Sequence, residues 1–285
     1  MKTLVVGASG FLGNYLMNYF NCPGTSFSGQ PGHIRLDVCN LDEFILLLDK
    51  IKPDLVINSS GFTNVDLCES NRDIALRING TAVGNMARAC RTAGTKFAHL
   101  STDFVFNGTK GDYIEIDETD PINYYGKSKL VGEREAFVND AIILRISTPF
   151  GISHTKGKTP FNEFVINNVK AGNPVRIANN QITTPTFAED IPHAIDVLAE
   201  SGSSGIFHLG VKEKMSRYEF AVTMVERFGM NTDLIIPVEL KDLPLVAERP
   251  LNTAMNSGKI SGYFRPSSLS HGIDKIISEL QPAKD

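Results

Sequence analysis

The sequence predicts an α/β fold, in which a doubly wound parallel sheet is followed by a smaller C-terminal α/β lobe. Short apolar runs such as Thr3–Val6 and Leu55–Asn58 are typical of strands buried on both faces of a parallel sheet. The first run leads directly into a glycine-rich turn and a helical pattern. After a further apolar run at Ile142–Arg145, a polar loop and a different order of elements indicate a second lobe.

Composition and charge exclude several classes of function. Of the 285 residues, 42% are apolar and 21% are charged, which is ordinary for a globular protein. The net charge is −4 without long runs of one sign, so we expect small-molecule ligands and no nucleic-acid partner. No run approaches the roughly 18 apolar residues of a membrane span. Because the first strand is predicted to begin at Lys2, we expect no leader segment. The four cysteines lack metal-ligand spacing, so we expect free thiols in a cytoplasmic protein.

Three glycines follow the first strand at intervals of three residues, at Gly7, Gly10 and Gly13. In the context of strand, turn and helix, this spacing lets the backbone approach a pyrophosphate at a helix N-terminus. The pattern is that of a Rossmann sheet with a dinucleotide site. We expect the backbone at these glycines to approach the cofactor.

The loop after the second strand, expected near Thr25–Ser28, bears on the choice of cofactor. Chains that prefer NAD usually carry an acidic residue here for the ribose 2′-hydroxyl, and none precedes Asp37. A 2′-phosphate could instead be surrounded by the polar side chains Ser28, Gln30, His33 and Arg35. We therefore expect NADP(H) to be preferred, with NAD(H) still open, since Arg35 could equally be a solvated loop cation.

Two other segments are expected to line the cofactor cleft. Asp37, followed by Val38, ends a strand and could accept a hydrogen bond from the adenine amino group; its alternative is a turn residue. Ser59, Ser60 and Gly61 follow the strand Leu55–Asn58, where small residues leave space for a ligand at the carboxyl end of the sheet.

Tyr125 and Lys129 are four residues apart in a segment predicted to begin a helix, so both lie on one face, about 6 Å apart along the axis. A nearby ammonium favours the phenolate and is expected to lower a phenol pKa that starts near 10. The pair is a candidate general acid, although such a pair alone is more often an exposed helix start. Thr102, at the end of the strand near 96–100, could bind a substrate carbonyl or could be a turn residue.

With these features in this order, the chain resembles the extended short-chain dehydrogenase/reductase family, and more closely its dTDP-4-dehydrorhamnose reductase branch. The resemblance covers the chain through the segments 52–58 (KPDLVIN), 101–108 (STDFVFNG), 125–133 (YGKSKLVGE), 184–186 (TPT) and 248–252 (ERPLN). It implies that Thr102, Tyr125 and Lys129 are catalytic and that Lys129 also holds the nicotinamide ribose. The cofactor contacts that it implies are Gly7, Gly10, Phe11, Leu12 and Asp37. The implied reaction is NADPH-dependent reduction of a 4-keto group on a nucleotide-activated 6-deoxysugar.

Five residues are expected to bind this substrate: Asp103, Phe104, Thr148, Gln181 and Arg249. Arg249 is the candidate for the diphosphate, because a guanidinium can engage two phosphate oxygens; a surface ion pair with Glu248 is its alternative. Phe104 and Thr148 depart from the family pattern, which usually has Tyr and Trp at these positions. This departure weakens the identification of the particular sugar.

A second resemblance keeps another class of function open. The regulatory β subunit of methionine adenosyltransferase is similar in fold, also lacks the Trp, and shares the segments 205–208 (GIFH) and 215–219 (MSRYE). The alternative is therefore an NADP-binding, non-catalytic interaction subunit. Tyr15 stands where magnesium-bridged dimers of the family have a glutamate, so we expect no metal, while a homodimer stays open.

The predicted organisation has two parts. Residues 1–150 are expected to form the dinucleotide-binding Rossmann domain, to which a strand and helix within 186–210 return. Residues 151–185 and 211–285 are expected to form the substrate-binding lobe, with a mobile polar loop at 151–160.

Overall fold

The computed structural model describes residues 1–155 and 159–280, so residues 156–158 of the predicted mobile loop lie outside the described residues. The strands are β1 (Thr3–Val6), β2 (Thr25–Ser26), β3 (Ile34–Arg35), β4 (Leu55–Asn58), β5 (Lys96–Thr102), β6 (Ile142–Ile146), β7 (Pro149–Phe150), β8 (Val175–Ala178), β9 (Ile182–Thr183), β10 (Thr186–Phe187), β11 (Gly205–Leu209), β12 (Met215–Ser216) and β13 (Ile235–Val238). The α-helices are α1 (Phe11–Phe20), α2 (Leu41–Ile51), α3 (Val65–Ser70), α4 (Arg72–Leu76), α5 (Ala82–Thr92), α6 (Tyr124–Phe137), α7 (Phe161–Lys170), α8 (Asp190–Glu200), α9 (Arg217–Arg227) and α10 (Leu269–Leu280).

The central sheet is parallel and has the strand order β1-β4-β5-β6-β11. β2 and β3 pair with each other on the opposite side of β1, to which a bridge between Val5 and Gly24 joins them. Strands are therefore added first on one side of β1 and then on the other, which makes β1 the topological switch point of the sheet. Open α/β sheets bind ligands at the carboxyl ends of the strands beside such a point. The predicted doubly wound parallel sheet is confirmed, as is the return of β11 to it.

Helices cover both faces of this sheet, which explains why its strands are continuous apolar runs. On one face α1 and α8 pack with side chains such as Leu16 and Ile195, and on the other α2 and α5 pack with Phe44 and Met86. All four side chains are at most 1% exposed. Burying a side chain of this size contributes about 1.5–3 kcal/mol, so these two layers hold the strand ends in fixed positions.

A second core is formed by α7, α9 and α10 with the parallel pair β8 and β13. Phe220 and Met224 on α9 are buried there, as the four-residue apolar spacing from Ser216 onward predicts. Phe150 and Phe187, from the paired strands β7 and β10, also pack into this second core. Both residues fall within the segments that were predicted for the sheet domain, so β7 and β10 connect the two parts.

Two predicted helices differ from those in the structure. The helix expected from Phe187 to Leu198 begins at Asp190, because Thr186 and Phe187 pair with β7 instead. The long helix expected from Ile74 to Ala89 is divided by a π-helical turn, Arg77–Thr81, between α4 and α5. A π-helical turn inserts one extra residue into a helix and is frequent at functional sites. Within the described ranges, no helix is both long enough and apolar enough to cross a membrane.

Candidate active site

A cavity of about 570 Å³ lies at the carboxyl ends of the central strands, between the sheet and α7. The sequence-predicted residues that line it are Gly10, Phe11, Leu12, Ser59, Ser60, Gly61, Thr102, Asp103, Phe104, Tyr125, Lys129 and Thr148. Those that do not line it are Gly7, Asp37, Val38, Gln181 and Arg249. The fold thus brings the glycine turn, the expected catalytic residues and part of the expected substrate site to one cavity.

The N-terminus of α1 forms one wall of this cavity. Its N-cap is Gly10, no side chain caps it, and its first turn carries no acidic residue. The turn before it requires glycine, because a Cβ at Gly13 would lie 2.1 Å from the carbonyl oxygen of Gly7. Gly7 itself has a φ of +81°, and a Cβ there would lie 2.7 Å from the Ser60 nitrogen. An uncapped helix start with free N–H groups fits the pyrophosphate of a dinucleotide.

The expected adenine end of the site lies at a second cavity, of about 410 Å³, which Asp37, Cys39 and Arg77 help to line. Asp37 Oδ1 accepts a hydrogen bond from the Cys39 backbone N–H at 2.9 Å, as a turn residue would. Val38 packs at the edge of the core layer under α2 and α5. In the structure Asp37 therefore has a structural role, and it also faces a cavity.

The loop after β2, which was expected to distinguish NADP from NAD, is held in place by polar contacts. Ser26 Oγ accepts from the Gln30 N–H at 3.1 Å, and Arg35 lies 3.6 Å from Glu43 in an exposed ion pair. Both ring nitrogens of His33 are buried without a partner among the described residues. Leaving a buried nitrogen without a hydrogen bond costs free energy, so a ligand group that bonds the His33 ring would be favoured.

Tyr125 enters the cavity because α6 starts against the end of β5. The Asn123 side chain caps α6 by accepting from the Gly126 N–H at 2.9 Å. A Cβ at Gly126 would lie 2.1 Å from the Phe104 carbonyl oxygen, so only glycine permits this approach. As a result the Tyr125 phenol is hydrogen-bonded to the Thr102 side chain. Thr102 Oγ1 also accepts from the Phe104 N–H at 3.3 Å, as expected of the turn residue that was considered for this position.

The pKa values of Tyr125 and Lys129 are set differently from the sequence-based expectation. Burial raises the pKa of the Tyr125 phenol above its ordinary value, and the hydrogen bond with Thr102 opposes this only in part. The predicted lowering of the Tyr125 pKa is therefore wrong. Lys129 Nζ contacts other groups, the Leu100 carbonyl oxygen at 2.6 Å and His99 Nε2 at 3.1 Å. Burial lowers the pKa of Lys129 to about 8.

Asp103 is buried next to Thr102 and binds hydroxyl groups from other segments. Its Oδ2 accepts from Ser147 Oγ at 2.6 Å and from Thr253 Oγ1 at 2.5 Å. Burial raises the pKa of Asp103, while these hydrogen bonds oppose the rise. Asp103 therefore joins the end of β5 to the C-terminal part of the chain.

Phe104 and Thr148 line the cavity together with Asp103. The Phe104 ring packs edge-on against Tyr125, with 6.1 Å between centroids. Thr148 has a φ of +41°, a conformation that is strained for a β-branched residue, and its hydroxyl lies 3.2 Å from that of Thr183. The structure thus places both departures from the family pattern on the cavity wall.

Asn79 connects two walls of the cavity and was not assigned to the site from sequence. It lies fully buried in the π-helical turn, where its Oδ1 accepts from the Phe62 N–H at 2.8 Å. Its Nδ2 donates to the Phe62 carbonyl oxygen and to Ser128 Oγ, both at 3.0 Å. One amide thereby holds the loop after β4 against α6.

Arg217 also lines the cavity and was missed by sequence analysis. It is the first residue of α9 and follows Ser216, the N-cap, which forms a capping box with Glu219. Its guanidinium carbon lies 5.1 Å from the Phe161 ring centroid, and its Nε is buried without a partner among the described residues. A cation is unfavourable at a helix N-terminus. An arginine in the first turn of a helix whose start is marked by a capping-box pattern was therefore the sequence signal for a functional residue.

Gln181 and Arg249 are not among the residues that line the cavity. Gln181 Nε2 donates to the Pro250 carbonyl oxygen at 3.3 Å. Arg249 forms an ion pair with Asp66 and donates to the Ala247 carbonyl oxygen at 2.7 Å. The partner of Arg249 is thus Asp66 on α3 and not Glu248, the alternative considered from sequence.

Tyr15, at the position where a metal-binding glutamate was considered, makes a structural contact. Its hydroxyl oxygen accepts from the Ile152 N–H at 2.8 Å, and burial raises the pKa of the phenol to about 12. Among the described residues, no group of three or more His, Cys, Asp or Glu side chains is arranged to hold a metal ion.

Comparison with known proteins gives a consistent result. The family model described as the RmlD substrate binding domain matches residues 1–281. A probable low-salt glycan biosynthesis reductase of Haloferax volcanii is 34% identical over 276 residues, which are 92% of each chain. A crystal structure of dTDP-4-dehydrorhamnose reductase from Bacillus anthracis in complex with NADP has a TM-score of 0.89 at 26% identity and covers 98% of this chain and 100% of that one. Methionine adenosyltransferase 2 subunit beta of Rattus norvegicus is 27% identical, over 91% of this chain and 81% of its own length.

Proposed function

This chain belongs to the family of the RmlD substrate binding domain, and from that premise we propose that it is an NADPH-dependent reductase of a keto group on a nucleotide-activated sugar. The observation that carries the proposal is the joint placement of Thr102, Tyr125 and Lys129 in one cavity with the uncapped start of α1. Within this class we propose a 4-keto-6-deoxysugar as the substrate. The NADP complex of the Bacillus anthracis reductase supports the cofactor.

The cofactor would be held by the N-terminus of α1, by Ser59, Ser60 and Gly61, and by Lys129 at the nicotinamide ribose. When bound, it supplies hydride to the carbonyl carbon. The unpartnered ring of His33 supports a contact with a 2′-phosphate, so we expect NADPH to bind more tightly than NADH. A titration in which NADH binds more tightly would contradict this preference.

Tyr125 is the general acid of the proposed reaction. Because burial raises its pKa, the phenol is fully protonated at neutral pH and can give its proton to the oxygen of the reduced carbonyl. Thr102, already hydrogen-bonded to Tyr125, would orient that oxygen. General acid catalysis of this kind is typically worth about 10² to 10⁴ in rate, and positioning supplies much of the rest.

The anionic part of the substrate is proposed to lie near Arg217. Among the described residues that line the cavity, the cationic ones are Lys129 and Arg217, and Lys129 is assigned to the cofactor end. A guanidinium engages two phosphate oxygens at once, and the buried Nε of Arg217 is available for this contact. Asp103 and Thr148, on the same wall, are proposed to contact sugar hydroxyls.

The test is turnover of a dTDP-4-keto-6-deoxysugar with NADPH by the wild type and by Tyr125→Phe. We expect Tyr125→Phe to bind NADPH with unchanged affinity and to lose about 10² to 10⁴ in turnover. Tyr124→Phe is the matched control, because the Tyr124 ring lies on the same helix turn but packs against the Arg72 guanidinium, 5.2 Å away. Full turnover in Tyr125→Phe would remove the assignment of the acid.

The second candidate function is a non-catalytic, NADP-binding interaction subunit. It is supported by the 27% identity to methionine adenosyltransferase 2 subunit beta and by Phe104 and Thr148, which differ from the reductase pattern. A pull-down with a methionine adenosyltransferase catalytic subunit, run beside the turnover assay, separates the two candidates. Capture without turnover supports the subunit, and turnover without capture supports the reductase.

A further inference from the structure

The two carboxyl oxygens of Asp103 have different surroundings. The residue is only 4% exposed, and it still lines the cavity. Its Oδ2 accepts from Ser147 Oγ and Thr253 Oγ1, two hydroxyl groups from distant parts of the chain. Its Oδ1 accepts from Thr102 Oγ1 at 3.1 Å. One oxygen is thus fastened to the protein behind the cavity, and the other lies beside the proposed catalytic threonine.

The hydrogen bonds of Asp103 fit an ionised carboxylate. Three hydroxyl groups donate to it, two at Oδ2 and one at Oδ1. A carboxylate only accepts, whereas a carboxylic acid would turn an O–H group toward a neighbour that already donates. The charge of Arg217 acts in the same direction as these hydrogen bonds, against the effect of burial.

Oδ1 can accept a further hydrogen bond. A carboxylate has about four lone-pair sites, and three of those of Asp103 are used by hydroxyl groups of the described residues. The fourth belongs to Oδ1. A buried acceptor without a donor costs free energy, so a ligand that donates to Oδ1 is favoured over one that cannot.

The other polar side chains in the cavity do not discriminate in this way. Ser101, for example, lines the cavity with a buried Oγ that has no partner among the described residues. A hydroxyl group can rotate either to donate or to accept, so it tolerates both kinds of ligand group. Among the described residues that line the cavity, Asp103 is the only acidic one.

The distance between Thr102 and Asp103 indicates which ligand group would reach Oδ1. The oxygens carried by two neighbouring carbons of a ligand lie about 3 Å apart, given a carbon–carbon bond of about 1.5 Å. Thr102 Oγ1 and Asp103 Oδ1 are 3.1 Å apart. A ligand whose carbonyl oxygen lies at Thr102 can therefore place a hydroxyl group of the neighbouring carbon at Oδ1.

We propose that Asp103 is a specificity-determining residue, which selects ketones that carry a hydroxyl group on the carbon next to the carbonyl. The proposal rests on the proposed function, which supplies the position of the carbonyl, and it deepens that function by naming the substrate class as α-hydroxyketones. In a 4-keto-6-deoxysugar the group concerned is the 3-hydroxyl. A sugar that has only hydrogen at carbon 3 would leave Oδ1 without this donor.

Binding of two sugars to the protein saturated with NADP⁺ tests the proposal without any turnover. One sugar is the dTDP-4-keto-6-deoxysugar, and the other is the same compound with hydrogen in place of the 3-hydroxyl. We expect calorimetry to give a Kd about 10- to 100-fold higher for the 3-deoxy compound, because a hydrogen bond to a charged acceptor is lost.

Asp103→Asn assigns this preference to the carboxylate. The amide oxygen can keep Ser147 and Thr253 as donors, and its NH₂ can offer the sugar hydroxyl only an uncharged hydrogen bond. We expect the ratio of the two Kd values to fall about tenfold, with NADP⁺ affinity showing that the variant is folded. Asp112→Asn is the matched control, because Asp112 has a φ of +49°, which asparagine adopts readily, and it forms an exposed ion pair with Lys214. Its ratio should equal that of the wild type.

Two results would overturn the proposal. One is a wild-type protein that binds both sugars with Kd values within about threefold, a result that needs no variant. The other is a folded Asp103→Asn protein that keeps the wild-type ratio. A preserved preference without turnover would count against the reductase activity alone, and a protein that binds neither sugar would overturn both proposals.

Discussion

Arg249 forms an ion pair with Asp66, with 2.9 Å between Nη2 and Oδ1. The same carboxylate oxygen accepts from the backbone N–H groups of Val246 and Ala247 at 3.1 and 2.9 Å. Burial alone would raise the pKa of Asp66, but these hydrogen bonds and the charge of Arg249 lower it below its ordinary value. Segment 246–249 is therefore fastened to α3, and the charge of Arg249 is compensated outside the cavity.

Replacing Arg217 is expected to weaken substrate binding specifically. Arg217→Met removes a charge-assisted hydrogen bond worth about 1.5–3 kcal/mol, so the KM for the nucleotide sugar should rise roughly 10- to 100-fold. The Kd for NADPH should stay within about twofold, since Arg217 begins α9 and is not among the residues proposed to hold the cofactor. Steady-state kinetics and a fluorescence titration of NADPH measure the two quantities.

Arg249→Met is the matched control for this prediction. Because Arg249 is paired with Asp66, its loss should lower the melting temperature while changing the KM for the nucleotide sugar little. If instead the KM rises in Arg249→Met and not in Arg217→Met, Arg249 binds the diphosphate, as the sequence predicted.

An alanine at Gly126 is expected to be strongly destabilising. Its Cβ would lie 2.1 Å from the Phe104 carbonyl oxygen, which would force α6 away from β5, so we expect a loss of at least about 2 kcal/mol in unfolding free energy. Gly262→Ala is the control, because a Cβ there meets no atom within 4 Å, and it should stay within about 0.5 kcal/mol of the wild type. Urea unfolding measures both variants, and equal losses would contradict the close approach.

The buried His208 is expected to make stability depend on pH. Burial, assisted by the charge of Arg145, lowers the pKa of His208 to about 3, whereas an unfolded histidine titrates near 6.5. Between these values the unfolded state binds more protons, so the contribution of His208 to stability is full above about pH 6.5 and is lost as the pH falls toward 3. The slope is at most about 1.4 kcal/mol per pH unit.

His208→Asn keeps a donor for the Tyr113 carbonyl oxygen and removes the titrating ring. The unfolding free energy of this variant should fall less steeply between pH 7 and pH 4 than that of the wild type. Parallel profiles for wild type and His208→Asn would show that His208 is not held neutral.

Sequence patterns were sufficient to predict the elements whose structure depends on residues close to them in the chain. The glycine turn, the buried strands β1 and β4, and the start of α6 near Tyr125 depend on neighbouring residues, and each lies where the sequence placed it. The doubly wound sheet followed from the order of these elements. The cap of α2 is equally local, since Asn40 Oδ1 accepts from the Glu43 N–H three residues later, at 3.2 Å.

The remaining features depend on partners that are distant in the chain. Arg249 and Asp66 are 183 residues apart, and Arg217 reaches the cavity only because α9 packs against α7. The direction of the Tyr125 pKa shift was predicted from a charge four residues away. It is decided instead by burial, which depends on the packing of the whole fold.

The contacts of Asn79 limit how the cavity can change shape. Since one amide bonds both Phe62 and Ser128, the loop after β4 and the helix that carries Tyr125 move as a single rigid unit unless three hydrogen bonds break. α7, whose Phe161 and Phe164 line the cavity, shares none of these hydrogen bonds, so its displacement would widen the cavity without breaking them. In the proposed reductase, a bulky ligand would therefore be admitted by movement in the C-terminal half of the chain, while the two elements that Asn79 joins keep their places.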